Sequence, residues 1–328
     1  MKQGKIAESV LKRSIFKQLH LKRPDVLLAA GIGEDCAAFA VAEDEVAVIS
    51  ADPVIWEDSL DGRCAVHANL NDLAAGGAEP VGLMLTALLP PEIEEAQMRQ
   101  MVQMIAQECE PLQVQILGGH TEVTDAVKCP VVSIAAVGKA KKGMLSTTTG
   151  AKPGDDIVVT KWIALEATAK LARSRREALL SRYPRHLLDD AERFQQYFSV
   201  IPEAATAVKS GVRAMHDVTT GGIFGALWEL AEASGVGLEI DLKKIPLRQE
   251  TVEVCEFFHI NPYELISSGC MLMAAADGNE LIRRLKENGI EATVIGKATA
   301  GNDRVLVNED ERRFLEPPKT DELYKVIQ

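Results

Sequence analysis

NLNDLAAGGAEP, residues 69–80, decides how the N-terminal half of this chain folds. Apolar residues recur at helical spacing from residue 66 to residue 74, and a pair of glycines then ends the pattern. Asn69 and Asp72 lie three residues apart, so a helix presents their side chains on one face. The stretch therefore predicts a helix that carries an amide and a carboxylate just before a glycine turn.

Short apolar runs on both sides of this helix predict the strands of a sheet. At residues 152–162, KPGDDIVVTKW opens with a Pro-Gly turn and begins a new strand, so we place a domain boundary near residue 150. Helices and strands mix in both halves without the steady alternation of a parallel α/β sheet. The sequence therefore predicts two α+β domains, residues 1–150 and 151–328. Strands are predicted at 45–53, 81–89, 112–117 and 131–137, and then at 237–241, 271–275, 293–296 and 303–307.

The composition narrows the classes of partner. The 328 residues carry a formal net charge of −12, and this negative field disfavours nucleic acid and anionic membranes. No apolar run approaches the ~20 residues that span a bilayer, and the N-terminus lacks the continuous apolar centre of a signal peptide. We therefore expect a cytoplasmic protein. The six cysteines form no CxxC pair, which argues against a zinc site or a disulfide framework.

Carboxylates, and not a familiar nucleotide motif, mark the candidate site. No GxxxxGK[ST] P-loop occurs, and GIGEDC at 31–36 lacks the last glycine of GxGxxG. Magnesium prefers carboxylate oxygens, and glycines let backbone N–H groups approach phosphates. The pattern predicts a magnesium-bridged polyphosphate site; with 48 acidic residues in the chain, a solvated surface is the alternative. The carboxylates beside small residues at element ends are Asp35, Asp52, Asp72, Glu122 and Asp217.

Six segments follow one another in the order of the motifs of one superfamily. They resemble those of the aminoimidazole ribonucleotide (AIR) synthase, or PurM-like, superfamily. It includes thiamine-monophosphate kinase, selenophosphate synthetase and the hydrogenase maturation factor HypE, and the HypE branch is the one that this chain resembles most. The segments are GIGEDCAAF (31–39), ISADP (49–53), NLNDLAAGGAEP (69–80), GGHTEV (118–123), MHDVTTGG (215–222) and ISSGCMLMAA (266–275).

The resemblance implies both a fold and a site. In this family an N-terminal α+β domain pairs across a homodimer, forming a β-barrel, and a C-terminal α+β domain packs against it. ATP and magnesium bind in the cleft, and many members use ATP to activate an amide-type oxygen of an acceptor. Carried over to this chain, the metal ligands are Asp35, Asp52 and Asp72, the nucleotide-binding residues are Gly33, Asn69, Gly118, Gly119, Thr121, Gly221 and Gly222, and the catalytic residues are His120, Glu122 and Asp217.

One departure from the family pattern concerns His120, which stands where the kinase and HypE patterns have aspartate. Imidazole is a poorer magnesium ligand than carboxylate. The site therefore either binds fewer metal ions or uses Glu122 as the ligand instead. Alternatively, a neutral His120 acts as a base or donates a hydrogen bond to phosphate. A third interpretation is a histidine that is merely hydrogen-bonded in a loop.

A second departure concerns the acceptor. HypE proteins resemble one another in a mobile C-terminal tail whose last cysteine accepts a carbamoyl group, which ATP then drives to dehydrate. No cysteine follows Cys270 here, and Cys270 lies in a predicted apolar strand, where its thiol is a poor nucleophile. We therefore expect an ATP-dependent enzyme whose acceptor is a free small molecule or another protein. A phosphotransferase like thiamine-monophosphate kinase and a non-catalytic nucleotide-binding assembly subunit are the alternatives.

Overall fold

The chain folds into two compact units. The computed structural model describes residues 3–31, 36–317 and 319–327. One unit holds residues 1–143 without the turn at 74–77, and the other holds that turn together with residues 144–328. Each unit combines helices with a sheet of mixed strand direction, which confirms the predicted two-domain α+β class. Among the described residues, no helix is both long enough and apolar enough to cross a membrane.

The first unit is built around one sheet. Its elements in chain order are β1 (Gly4–Lys5), α1 (Glu8–Val10), β2 (Val26–Leu28), β3 (Ala38–Phe39), β4 (Glu45–Ile55), α2 (Ser59–Ala75), β5 (Glu79–Leu89), α3 (Glu95–Cys109), β6 (Gln115–Val123) and β7 (Val131–Lys141). Five strands form the sheet in the order β1-β6-β5-β7-β4, with β5 parallel to β6 and the other neighbours antiparallel. The helix predicted at 66–74 is confirmed inside α2. Three strand predictions are also confirmed, whereas β6 begins later than predicted and continues through the GGHTEV segment.

Side-chain alternation gives this sheet one covered face and one open face. Along β7, the even-numbered residues from 132 to 140 are buried and the odd-numbered residues between them are half-buried. Helix α2 lies on the covered face, where the Leu73 side chain packs over Gly138. The open face includes two isoleucines of the edge strand β4: Ile49 is 69% exposed and Ile55 is 59% exposed.

The second unit has a longer sheet with helices packed around it. Its elements are β8 (Asp156–Thr160), α4 (Leu165–Ser174), α5 (Arg176–Leu180), α6 (Arg185–Glu192), α7 (Ile201–Lys209), β9 (Ala214–Val218), α8 (Gly222–Ser234), β10 (Gly237–Asp241), α9 (Gln249–Phe258), β11 (Cys270–Ala275), α10 (Gly278–Glu287), β12 (Ala292–Thr299), β13 (Arg304–Asn308) and β14 (Glu311–Phe314). The strand order is β14-β13-β10-β12-β8-β11-β9. All four strand predictions for this half are confirmed, and β11 is buried along its whole length.

The SSG turn at residues 267–269, just before β11, contacts two other segments of the second unit. The Ser267 Oγ accepts a hydrogen bond from the Ala164 N–H at 2.7 Å. Gly269 has a φ of +102°, and a Cβ atom there would lie 2.4 Å from the Tyr197 carbonyl oxygen. The turn therefore ties the start of β11 to two loops that lie far from it in sequence, and only glycine fits its last position.

Candidate functional site

Asn69 fixes helix α2 to the edge strand β4. Its Oδ1 accepts a hydrogen bond from the Asp52 N–H at 2.9 Å, and its Nδ2 donates to the Ala65 carbonyl oxygen at 2.9 Å. The side chain is almost fully buried. Because a buried amide is costly to leave without partners, these bonds hold the backbone that carries Asp52 in a defined position.

The Asp72 carboxylate lies on the same side of β4. The Ser50 hydroxyl donates a hydrogen bond to Asp72 Oδ2. Ser50 and Asp52 are two residues apart on the strand, so their side chains point to the same face. Ile134, which lies opposite Asp52 in the register, is buried, and this identifies the covered face. The structure thus brings Asp52, Asn69 and Asp72 together at one edge of the sheet.

This group is a set of hard oxygen donors that fits a magnesium–phosphate complex. Mg²⁺ is commonly held by one or two protein carboxylates, with substrate phosphates and waters completing its shell. Within the residues that the structure describes, no group of three or more His, Cys, Asp or Glu side chains could hold a metal ion by itself. Asp35, the third predicted metal ligand, and Gly33, a predicted nucleotide contact, lie outside the described residues.

His120 and Glu122 form a pair on β6. The His120 Nε2 atom lies 3.1 Å from Glu122 Oε2, and both side chains are 43% exposed. His120 on β6 pairs with Thr86 on β5, and Thr86 pairs with Ser133 on β7. Ser133 is one of the half-buried, odd-numbered residues of β7, so the His120–Glu122 pair lies on the open face. Asp52 is on the covered face three strands away, about 14 Å across the sheet. Within one chain, Glu122 is therefore too far from the Asp52 carboxylate to bind the same metal ion. The interpretation in which Glu122 replaces His120 as a ligand at that site does not fit this geometry.

The two glycines before His120 differ in what the backbone requires. Gly119 has a φ of +146°, and a Cβ atom there would lie 1.8 Å from the Leu85 carbonyl oxygen. At Gly118 a Cβ atom would meet only the Met84 side chain, at 3.4 Å. Gly119 is therefore needed by the sheet itself, whereas Gly118 leaves its backbone open to approach by another group.

A large cavity in the first unit is lined by this strand. Its volume is about 700 Å³, within the range of small-molecule sites, about 300–1,000 Å³. Apolar side chains of α3 and of the N-terminal segment supply much of its wall, and Asp52 and Asp72 lie outside it. The predicted nucleotide and catalytic residues that it brings together are Gly118, Gly119, His120 and Thr121.

In the second unit, Asp217 lies on β9 with its side chain largely buried. Its neighbour His216 has Nε2 2.8 Å from Glu229 Oε2 and Nδ1 4.0 Å from Asp217 Oδ1. Cys270 on the adjacent strand is fully buried, and burial raises the pKa of its thiol to about 12, with the nearby Asp217 charge adding to the shift. Asp217 is therefore a largely buried carboxylate beside the half-buried His216, whose partner Glu229 is exposed.

The glycine turn at 221–222 is in contact with two other segments of the second unit. Gly221 and Gly222 have φ values of +83° and +62°. A Cβ atom at Gly222 would lie 2.7 Å from the Leu265 carbonyl oxygen, so the turn requires glycine there. The Gly221 N–H donates a hydrogen bond to Asp321 Oδ2 at 2.8 Å. Sequence analysis missed Asp321, because a partner 100 residues away leaves no local signal.

Sequence analysis also missed Lys161. Its Nζ atom donates to the carbonyl oxygens of Tyr197, at 2.9 Å, and Ser199, at 2.7 Å, and forms an ion pair with Glu203 at 2.5 Å. Burial lowers the pKa of this lysine, while the Glu203 charge opposes the shift. These partners lie within a loop and a helix far from Lys161 in sequence, so no spacing rule could have found them.

Comparison with known proteins places these features in a family. The family model described as AIR synthase related protein, N-terminal domain, matches residues 33–140, and the corresponding C-terminal domain model matches residues 152–308. A carbamoyl dehydratase HypE from Rhodobacter capsulatus is 30% identical over 88% of this chain and 83% of its own length. A putative hydrogenase expression/formation protein from Methanocaldococcus jannaschii is 27% identical over 98% of this chain and 97% of its own length.

A solved structure agrees with the sequence relatives. The hydrogenase maturation protein HypE in complex with ATP superposes with a TM-score of 0.78 at 17% identity, over 96% of this chain and 95% of that protein. At this level of identity the likeness concerns the fold alone, which is the PurM-like two-domain fold. Together with the two domain models and the Rhodobacter relative, it shows that this chain belongs to the AIR synthase related protein family.

Proposed function

We propose that this chain is an ATP- and magnesium-dependent enzyme of the HypE-like branch, which activates the oxygen of an amide-type acceptor. The relative that is 30% identical over 88% of the chain is named a carbamoyl dehydratase, and a HypE of the same fold was solved with ATP. The observation that carries the proposal is the placement of Asp52 and Asp72 together on one face of the sheet, held by Asn69 and Ser50.

Different residues of the first unit would bind the magnesium ion and the phosphates of ATP. Bound magnesium would offset the negative charge of the phosphates, and Asp52 and Asp72 would hold it through carboxylate oxygens. The backbone at Gly118 has no Cβ atom to keep a phosphate away, and it lies with His120 on the open face, so this contact would be made to a ligand on the other side of the sheet from Asp52. Asp35, Gly33 and Thr121 complete the binding set that we assign.

The proposed reaction removes the elements of water from a carbamoyl-type amide. The amide oxygen attacks the γ-phosphorus, the bond to the β-phosphate oxygen breaks, and ADP leaves. One N–H proton is lost at this step, and the second leaves as the C–O bond breaks, which gives a C≡N group and inorganic phosphate. Because His120 lies on the opposite face of the sheet from Asp52, it could take the first proton only at a site completed by a second copy of the chain, where Glu122 at 3.1 Å would stabilise the imidazolium.

We further propose that the chain acts as a homodimer, with the open face of the first sheet against a second copy. Ile49 and Ile55 expose apolar surface on this face, and the His120–Glu122 pair lies on it as well. Exposed apolar strands of this kind favour association. A second copy packed there would exclude water from the pair, as the resemblance to barrel-forming dimers implies.

The acceptor is, we propose, a free small molecule or another protein, and not a cysteine of this chain. Burial raises the pKa of both Cys255 and Cys270 to about 12, which leaves little thiolate at neutral pH. Cys109 is also buried, and its thiol pKa is raised for the same reason. Cys36 is exposed, so a test of this proposal must map any modification to its residue.

The binding proposal predicts that ATP affinity depends on a divalent metal and on Asp72. Calorimetry should show ATP binding in magnesium and at least a tenfold loss of affinity in EDTA. Asp72→Asn should also weaken binding about tenfold or more, since it removes a charged metal ligand while keeping an oxygen that can accept from Ser50. Asp44→Asn is the matched control, because Asp44 lies in the same unit in an exposed pair with Lys141.

Two results would contradict the proposal: equal ATP affinity in EDTA, or unchanged affinity in Asp72→Asn. Product analysis then separates the reaction classes. Incubation with ATP, magnesium and carbamoylated acceptors should give ADP, phosphate and an acceptor lighter by one water. A phosphorylated small molecule would indicate a kinase instead, and nucleotide binding without turnover would indicate an assembly subunit. A mass increase on any cysteine of this chain would overturn the proposed external acceptor.

A further inference from the structure

The cavity of about 700 Å³ in the first unit marks a place where the covered face of the sheet is not filled. On β7, Val132 and Ile134 of this face are buried. Their partners in the register on β5, Ala87 and Leu85, are only half-buried and line the cavity. Protein interiors rarely leave voids larger than a water molecule, so a space of this size is available to a ligand.

The edge of β6 lets the cavity reach both faces of the sheet. β1 pairs with the last two residues of β6 alone, so the described residues provide no neighbouring strand along the outer edge of residues 116–120. Within this stretch, Gly118 and Gly119 have no side chains to close the gap. Leu85 on the covered face and His120 on the open face accordingly line the same cavity.

Apolar side chains from outside the sheet supply the other walls. They include Met98, Met101 and Val102 of α3, and Ile15, Phe16 and Leu19 of the N-terminal segment. The hydroxyl of the buried Ser14 donates to Glu95 Oε1 at 2.6 Å, and the Arg13 Nε–H donates to the same oxygen at 2.6 Å. Since Glu95 is the first residue of α3, these bonds hold the two walls together and give the cavity a defined shape.

The polar lining residues indicate what kind of ligand fits. Thr86 and His120 are partners in the register on the open face, so a hydroxyl and an imidazole lie side by side. Besides this imidazole, the charged side chains among the described lining residues are Lys5 and Glu8, one of each sign. Pockets with apolar walls and a few polar groups bind ligands with an apolar body and an oriented polar end. The balanced charges favour a neutral polar end.

We propose that this cavity binds the acceptor, and that the acceptor is a neutral primary carboxamide with an aromatic or branched aliphatic body. The inference rests on the proposed function, because it takes the acceptor to be an amide. The carboxamide both donates and accepts hydrogen bonds, as the Thr86 hydroxyl does, and it lies beside His120, the residue assigned to take its first proton. The apolar body lies against the walls formed by α3 and the N-terminal segment, and its burial supplies most of the affinity.

Binding of two simple amides to the full chain, measured by calorimetry, tests this pocket. Naphthamide, which has a two-ring body, should bind at least tenfold tighter than acetamide, because it removes more apolar surface from water. Val102→Trp adds bulk inside the cavity and should weaken naphthamide binding at least tenfold. Gln103→Trp is the matched control, because Gln103 is exposed on the same helix and lies outside this cavity; its affinity should equal that of the parent.

Methionine methyl resonances test the location of the ligand without any substitution. Naphthamide should shift the signals of Met84, Met98 and Met101, which line the cavity. The signals of Met271 and Met273, which are buried in β11 of the second unit, should not move. Equal affinity for the two amides, equal affinity in the two tryptophan variants, or equal shifts in both sets of methionines would overturn the pocket. If Val102→Trp does not fold, the methyl shifts of the parent decide.

The ATP measurements described above separate this pocket from the proposed function. If naphthamide shifts the cavity methionines but ATP affinity is independent of magnesium and Asp72, the amide pocket stands and the ATP-dependent enzyme is rejected. If ATP binding requires both magnesium and Asp72 but naphthamide does not bind, the pocket alone is rejected.

Discussion

The two units place their ionisable groups in opposite ways. In the first unit, Asp52 is exposed and the His120–Glu122 pair is 43% exposed. In the second, Glu203 and Asp321 are buried, and the Lys161 side chain is only 10% exposed. A charge in water is free to meet a ligand, whereas a buried charge must have its partners built into the fold. The difference fits the proposal that Asp52 and the His120–Glu122 pair serve a ligand, whereas Lys161, Glu203 and Asp321 stabilise the second unit.

The comparison predicts its largest effect at Lys161. Lys161→Met should lower the free energy of unfolding by about 3–5 kcal/mol, because it leaves the buried Glu203 carboxylate without its counter-charge. The carbonyl oxygens of Tyr197 and Ser199 would lose their donor as well. Urea unfolding followed by circular dichroism measures the change.

Two further variants make this test specific. Lys161→Met combined with Glu203→Met should recover part of the lost stability, since the unpaired charge is gone. Lys141→Met, which breaks an exposed pair with Asp44 in the first unit, should leave the unfolding midpoint unchanged. If Lys161→Met and Lys141→Met lower the free energy of unfolding by the same amount, buried and exposed ion pairs do not differ in their contribution to stability.

A smaller effect is expected from the glycines of β6. Gly119→Ala should lower the free energy of unfolding by about 1–3 kcal/mol, because its Cβ atom would collide with the Leu85 carbonyl oxygen. Gly118→Ala is the matched control, since its Cβ atom would make an ordinary contact with Met84; stability should change by less than about 0.5 kcal/mol. If Gly118 lets a phosphate approach, its alanine variant should weaken ATP binding while remaining stable. Equal stability losses at both positions would contradict the structural distinction.

The fold was largely predictable because it depends on local patterns. Apolar spacing located α2 and most of the strands, and the Pro-Gly turn at 153–154 comes just before β8. Ordered motifs then pointed to the family, which the domain matches confirm. These features can be found in short windows, where side-chain periodicity reflects burial.

The arrangement of the site was less predictable because it depends on long-range geometry. Nothing in GGHTEV shows that His120 faces away from Asp52, since that follows from the register of four strands. The requirement for glycine at position 119 comes from the backbone of β5, and the partner of Gly221 is 100 residues distant. A motif names residue types, but the fold decides whether each one meets a ligand or another part of the chain.

The smallest predicted effect tests whether any charge of the first unit is structural. Asp25 is one exception there: Arg23 bonds to both carboxylate oxygens, and Lys139 lies 2.8 Å from Oδ2. The Arg23 hydrogen bonds, helped by Lys139, hold the pKa of Asp25 far below its ordinary value of 3.8. The stabilisation is therefore complete above the ordinary pKa and is lost as the pH falls toward the depressed one. Asp25→Asn should lower the free energy of unfolding at pH 7 by about 1 kcal/mol.

The same variant should also flatten the pH dependence of stability below pH 4. The sign follows from the depressed pKa: the folded parent binds this proton more weakly than the unfolded chain does, so acid favours unfolding, and asparagine removes that term. Urea unfolding at pH 7, 4 and 3 measures both changes. Asp44→Asn should change the curve much less than Asp25→Asn, because the exposed pair of Asp44 with Lys141 is screened by solvent. Parallel curves for the parent and Asp25→Asn would mean that Asp25 is as solvated as its neighbours, and that the first unit has no structural ion pair at this position.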